Sequence, residues 1–195
     1  MMDGVSILLI VLFCIVFLYF IFSTLSQYAQ ENKQREQEAI QAKYPNKEFV
    51  EAFIKEHPVN FYPENERELL AIDSLKNAYA CWMGNDYSSA RKNFLESATL
   101  LSNDEIAQYK ADCIIKIIAD FSDYDPIYHF ILDETRIILK SKSGILQTEI
   151  YSFLRDYSKK DIQYVLYYAD FKKEIKREKK GRSYILALQV GNDAK

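Results

Sequence analysis

The chain has 195 residues, 49% of them hydrophobic and 27% charged, with 15 Tyr and 12 Phe but only 5 Gly and 4 Pro. This composition excludes a disordered chain, and the scarcity of obligatory turn residues disfavours a many-stranded β fold. The net charge of −3 is unevenly spread: residues 172–195 carry eight Lys and Arg against three Asp and Glu, while residues 1–171 carry 17 against 25, and an acidic body excludes general nucleic-acid binding, which needs a basic face.

After a short tail, residues 1–3, the segment Gly4–Leu25 is apolar on all sides; from Val5 to Phe22 its polar side chains are Ser6, Cys14 and Tyr19. Twenty-two residues at about 1.5 Å each span about 33 Å, enough for a hydrocarbon core of about 30 Å. A cleaved signal peptide would carry a basic n-region, a shorter apolar stretch and a small-residue cleavage site. Met1-Met2-Asp3 has no basic residue, and Ser23-Thr24-Leu25 is a poor cleavage site. Residues 4–25 are therefore predicted to be a single transmembrane helix. Lys33, Arg35 and Lys43 follow it and no Lys or Arg precedes it. The positive-inside rule then puts the N-terminus outside and the C-terminal domain in the cytoplasm.

Residues 26–45 form a polar spacer. Gln27–Ala42 is rich in helix formers and has no apolar face or sustained heptad, which predicts an exposed, semi-rigid helix. Residues 46–181 read as consecutive helices. Asn46 caps a helix carrying Phe49, Val50, Phe53 and Ile54, which His57-Pro58 ends. Pro63 suits the first turn of the next, with Leu69, Ile72, Leu75, Tyr79 and Trp82 inward and Gly84 as its stop. Asp86 caps a helix with Tyr87, Ala90, Phe94 and Leu101 inward. Ser102-Asn103-Asp104-Glu105 has the form of a capping box opening a helix with Ile106, Tyr109, Cys113, Ile117 and Ile118 facing in.

Asp125-Pro126 opens another helix, bearing Ile127, Phe130, Ile131, Ile137 and Ile138. Gly144 separates it from one bearing Ile145, Ile150, Phe153 and Leu154. Ser158–Asp161 resembles a capping box for a last long helix through Ile162, Val165, Leu166, Ala169 and Ile175, ending at Gly181. Residues 182–195 form a C-terminal tail in which Tyr184–Val190 is open between strand, short helix and docked segment. The expected fold is all-α: stacked antiparallel helical hairpins after one transmembrane helix, or else an irregular bundle.

Gly84, Tyr87, Ala90, Phe94 and Ser97-Ala98 together resemble the second half of a tetratricopeptide repeat. In that family small residues let paired helices approach closely and aromatics fill the gap between repeats. The chain departs from the pattern where Gly84 sits one position early, where Ser74 and Asn77 replace the first helix's Trp and Leu, and where Ser102 replaces the closing Pro. Asp-Tyr recurs at 86–87, 123–124 and 156–157, intervals of 37 and 33 residues that suit two-helix repeats. The resemblance implies a surface that grips a peptide or helix of a partner protein.

No catalytic, cofactor or metal site is expected, and the chain is not read as an enzyme. Its five Gly are isolated, no Cys-x-x-Cys occurs, and His57 and His129 are far apart. Two features are candidates for binding. The first is aromatic: Trp82 and Tyr87 on the repeat-like pair, with Tyr164, Tyr167 and Tyr168 on the last helix, as a surface for a protein partner. The alternative for the tyrosines is ordinary core with hydroxyls at the rim. The second is the run Lys172, Lys173, Lys176, Arg177, Lys179, Lys180 and Arg182, as a contact to anionic lipid. The alternative there is a solvated helix end suited to the helix dipole. The expected function is a membrane-anchored helical adaptor, against a structural subunit assembled through its anchor or an enzyme of unrecognised type.

Overall fold

Side chains that cap backbone N–H groups set most of the helix starts. The computed structural model describes residues 43–102, 106–142 and 144–189, with isolated helical positions at 23 and 27. The expected tail 1–3, transmembrane segment 4–25, most of the spacer 26–45 and the chain end 190–195 lie outside the described residues. Among the described residues no helix is long and apolar enough to cross a membrane. The described residues from Pro45 onward form one compact unit.

Helix α1 (Lys47–Glu56) starts where Asn46 Oδ1 accepts from the Phe49 N–H at 2.9 Å. In α2 (Glu66–Met83) Asn65 does the same for Glu68, so the helix begins three residues after the expected Pro63. Asp86 caps α3 (Tyr87–Leu101) and Asp125 caps α5 (Pro126–Ser141), where Pro126 occupies the first turn. Ser158 caps α7 (Lys159–Phe171), accepting from the Asp161 N–H at 3.1 Å and donating its hydroxyl to the Asp161 carboxylate. Two helices have no side-chain cap: α4 (Gln108–Ser122) and the short helix Gln147–Phe153. Ser102, expected to open α4, ends α3 instead and donates to the Ala98 carbonyl.

Helices α2 and α3 form the most closely packed hairpin. Ala71 and Ala78 of α2 and Ala90, Phe94 and Ser97 of α3 are fully buried, and the Ser97 hydroxyl donates to the Ala71 carbonyl at 2.7 Å. Trp82, Tyr79, Phe94, Phe121 and Tyr164 form one aromatic core, ring centroids 4.9 to 6.4 Å apart, mostly edge-on or tilted as ring quadrupoles favour.

The apolar stripes needed adjustment. Leu69, Tyr109, Phe130, Ile137 and Phe153, expected inward, are exposed. On α5 the buried face is Tyr128, Ile131, Leu132, Thr135 and Leu139, a stripe at helical spacing. It includes two hydroxyl residues where a purely apolar count prefers Phe130 and Ile137.

The largest correction lies near the C-terminus. The expected last helix does not reach Gly181. It stops at Phe171, where Lys173 turns the chain in the left-handed region (φ 60°) and the Glu174 N–H returns to the Ala169 carbonyl. A mostly helical body thus also holds a three-stranded antiparallel sheet, β1 (Ile145–Leu146), β2 (Ile175–Lys180) and β3 (Ser183–Leu188), in the order β1-β3-β2. Helix α6 (Gln147–Phe153) follows β1 directly, so Ile145 belongs to a strand rather than a helix. The register pairs Ile175 with Leu188 and Lys180 with Ser183. Gly181, at φ 60°, is the first of two loop residues, the position at which a II′ hairpin turn needs positive φ.

Two buried ion clusters lock the helices. Arg91 of α3 donates its Nε–H to Asp161 at 2.6 Å and its Nη1–H groups to Asp125 at 3.3 Å, joining the first turns of α5 and α7. Burial pushes the Asp125 carboxyl above its ordinary range, and the Arg91 charge offsets this only in part. Lys110 of α4 donates to Glu68 of α2 at 2.9 Å and meets Glu64 at 3.1 Å. Desolvation pulls the Lys110 ammonium down, but the hydrogen bonds and charges of the two glutamates outweigh it and the net shift is upward.

Candidate functional site

The polar face of α3 is built by the same periodicity that buries its other side. Ala90, Phe94, Ser97 and Leu101 point into the core, so Lys92, Leu95, Glu96, Thr99 and Ser102 line the outside. Helix α7 runs alongside and contributes Lys160, Gln163 and Tyr167. The hairpin folds back against the pair and adds Arg177 from β2 and Tyr184 from β3. Gln147, at the start of α6, closes one side. The result is a groove of about 440 Å³.

Arg177 is its central group. The guanidinium carbon lies 4.1 Å from the Tyr184 ring centroid and 5.8 Å from that of Tyr167. Its Nη2–H donates to Gln147 Oε1 at 3.1 Å. Gln147 is buried, and its own amide donates to the Tyr151 hydroxyl at 2.6 Å, which fixes its orientation. The Nε–H of Arg177 is buried without an acceptor among the described residues. No carboxylate is ion-paired with Arg177 there; Asp170 instead accepts from the backbone N–H of Arg177 at 2.9 Å. Burial pulls the Arg177 pKa down, with Tyr184 and Asp170 acting in the opposite direction.

The rest of the lining is wet and cationic. Lys92, Lys160 and Glu96 are exposed, and among the described residues none of the three is in an ion pair. With Arg177 the groove carries three cations against one carboxylate. The Tyr167 hydroxyl lies 3.3 Å from that of Ser102, and burial pushes its pKa up, so the phenol is a neutral donor at physiological pH.

Of the five aromatic candidates, the structure brings only Tyr167 to this groove. Trp82, Tyr164 and Tyr168 are core residues, each at most 1% exposed, and offer no binding surface. Tyr164 and Tyr168 share the face of α7 that packs on α3 and α5, and the Tyr168 hydroxyl donates to the Phe94 carbonyl at 2.9 Å. Tyr87 is half-buried, edge-on to Trp82 at 5.1 Å, with its hydroxyl on Asn85.

The basic run is divided by the sheet. Lys172 pairs with Asp123 and lies over the Tyr128 ring at 4.6 Å. Lys173 makes the turn, Lys176 pairs with Glu178, and Arg177 turns into the groove. Lys179, Lys180 and Arg182 stand exposed at the hairpin tip, in no ion pair among the described residues. They do not lie at a helix end, so the helix dipole does not account for them.

Gln147, Lys92, Lys160 and Tyr184 were missed. On a sequence, Lys92, Glu96 and Thr99 are indistinguishable from any solvated helix face, and only the strand pairing of 175–188 reveals what they face.

A second cavity of about 350 Å³ lies between α1 and α2, lined by apolar residues such as Ile54, Phe61, Leu69 and Ile72. Of its polar groups, His57 Nδ1 lies 3.0 Å from the Phe53 carbonyl and Lys76 pairs with Asp73, while the buried Tyr79 hydroxyl has no hydrogen-bond partner among the described residues. Among the described residues no group of three or more His, Cys, Asp or Glu could hold a metal ion. Comparison with protein-family models, with curated proteins and with solved structures gives no match in any of the three.

Proposed function

We propose that this chain is a membrane-anchored helical adaptor, held by residues 4–25 with its C-terminal domain in the cytoplasm, that docks a protein partner in the groove between α3, α7 and the β2–β3 hairpin. The observation that carries this is the groove's mixed chemistry: a guanidinium over two Tyr rings, a leucine, and a polar cationic rim. Tyr and Arg supply large, rigid contact area and directional donors, and they are enriched at binding hot spots. The close α2–α3 hairpin, with Ala90, Phe94 and Ser97 buried, supports a repeat-like stack. A membrane anchor confines such a domain to two dimensions and raises the effective concentration of its partner.

The test uses the full-length protein with a photo-reactive residue at Gln163, cross-linked in native membranes. One partner in near-stoichiometric yield is expected, and the exposed change Lys160→Glu should reduce its recovery. Recovery of the protein alone, with the cross-linker shown to work, would sink this function. Exchanging the anchor for an unrelated transmembrane helix separates an adaptor, which keeps its partner, from a subunit assembled through its anchor, which does not.

The hairpin tip favours a second contact. Lys179, Lys180 and Arg182 cluster there, and a basic residue near an anionic leaflet contributes about 1 kcal/mol. Replacing all three by Gln should weaken salt-sensitive association with phosphatidylserine vesicles; unchanged association would count against it.

A further inference from the structure

Two cations of this domain are buried and neutralised inside the fold, and a third, Arg177, is half-buried. Arg91 has Asp125 and Asp161, and Lys110 has Glu64 and Glu68. Arg177 has none. Its side chain makes one hydrogen bond among the described residues, to a neutral amide, and it lies over the rings of Tyr184 at 4.1 Å and Tyr167 at 5.8 Å. A half-buried guanidinium with no carboxylate in contact is costly, and it is held in place here by packing and by Gln147. The Nε–H is buried and Nη2 is bonded to Gln147, so the Nη end of the guanidinium is the route to a charge-assisted bond with a carboxylate.

Resting on the docking function proposed above, we infer that the groove takes an acidic segment of the partner protein, with a carboxylate side chain on the edge of Arg177. Lys92 and Lys160 on the rim take further acidic residues, and Leu95 with the two Tyr rings takes an apolar or aromatic side chain between them. Charge complementarity sets the choice: three cations against Glu96 leave an excess of two positive charges in an otherwise acidic chain. The groove's volume of about 440 Å³ is several times what one carboxylate fills, which favours a segment over a free anion. Tyr184 is the cross-strand partner of Lys179, so the cationic track continues along β2 toward the hairpin tip.

The experiment uses the full chain in phosphatidylcholine nanodiscs. The probe is a dye-labelled heptapeptide alternating Glu with Leu and Tyr, and its counterpart has Lys for every Glu; binding is read by fluorescence anisotropy. Saturable binding of the acidic peptide is expected, with none of the basic one. Arg177→Gln should weaken binding about tenfold to a hundredfold, as loss of a charged hydrogen-bonding partner implies. Arg177→Lys should restore part of it, because charge returns without the planar fork. Circular dichroism and the unfolding midpoint of each variant show that the fold is kept.

Equal affinity of Arg177→Gln and the parent, or equal binding of the basic peptide, overturns the inference. So does displacement of the acidic peptide by inorganic phosphate at an ionic strength matched with chloride, which would assign the groove to a phosphate group. A partner captured at Gln163 through a segment without acidic residues overturns the inference but leaves the docking function standing. Capture of no partner removes the docking function itself.

Discussion

Arg91 and Arg177 are the same side chain put to opposite use in two parts of one domain. Arg91 lies between α3 and the first turns of α5 and α7, where two carboxylates and two helix N-termini meet it. Its charge is consumed by the fold. Arg177 lies where a helix pair meets a hairpin, and the side chains its guanidinium contacts among the described residues are aromatic or amide, with Asp170 on its backbone N–H. Its charge is left over. Burial alone therefore does not separate a structural cation from a recognition cation; the presence of a built-in counter-ion does.

The comparison would break most visibly at Arg91. Arg91→Ala leaves Asp125 and Asp161 buried and facing each other, and should cost about 3–5 kcal/mol in urea unfolding. A loss below about 1 kcal/mol would mean that water or relaxation replaces the guanidinium, removing the contrast with Arg177.

The Lys110 cluster sharpens the contrast through pH. The Glu64 N–H, at 2.7 Å, and then Lys110 hold the Glu68 carboxyl below its ordinary value of 4.5. A depressed carboxylate stabilises the fold above the unfolded value, and that contribution disappears as pH falls through the folded one. The unfolding midpoint should fall on acidification below pH 4.5. Glu68→Gln should flatten that limb and destabilise less at neutral pH than Arg91→Ala, because Glu64 still meets Lys110. An acid limb identical in Glu68→Gln and the parent would show that this carboxyl is not held down.

Smaller still is Ser97→Ala, which removes the buried hydroxyl bonded to Ala71 and should cost about 1 kcal/mol in thermal unfolding. The smallest effect is expected at Arg177. Arg177→Gln should leave stability within about 0.5 kcal/mol of the parent or raise it slightly, since it removes an uncompensated charge. A loss comparable to that of Arg91→Ala would make Arg177 a structural group and undo the distinction.

Much of the helical layout was legible residue by residue. Asn46, Asp86, Asp125 and Ser158 cap helices as their chemistry dictates, because capping depends on backbone groups two or three positions away. Val50, Phe53, Ile72, Leu75, Tyr79, Trp82, Phe94, Ile118, Ile162 and Val165 are buried where the apolar spacing put them. The stretch 172–181 misled because its Lys, Arg and Glu are good helix formers and no Pro interrupts them. What makes 175–180 a strand is its partner, Tyr184 to Leu188, held by the two-residue turn at Gly181. Strand pairing is a non-local interaction that no local propensity carries.

The candidate site was less legible. Tyr167 and Arg177 were singled out separately, one as part of an aromatic face and the other as part of a basic run. Their 5.8 Å approach depends on the helix ending at Phe171 and the chain folding back.

The sequence by itself determined a mostly helical body, most of its caps and most of its core stripes, because each depends on contacts within about one turn of helix. Only the tertiary structure decided that the last helix gives way to a hairpin, that Tyr164 and Tyr168 are core, and that Arg177 lies near two Tyr rings with no carboxylate in ion-pair contact among the described residues. Those outcomes rest on pairings between residues far apart in the chain, and the closure of long loops that brings such residues together is not encoded in any one segment.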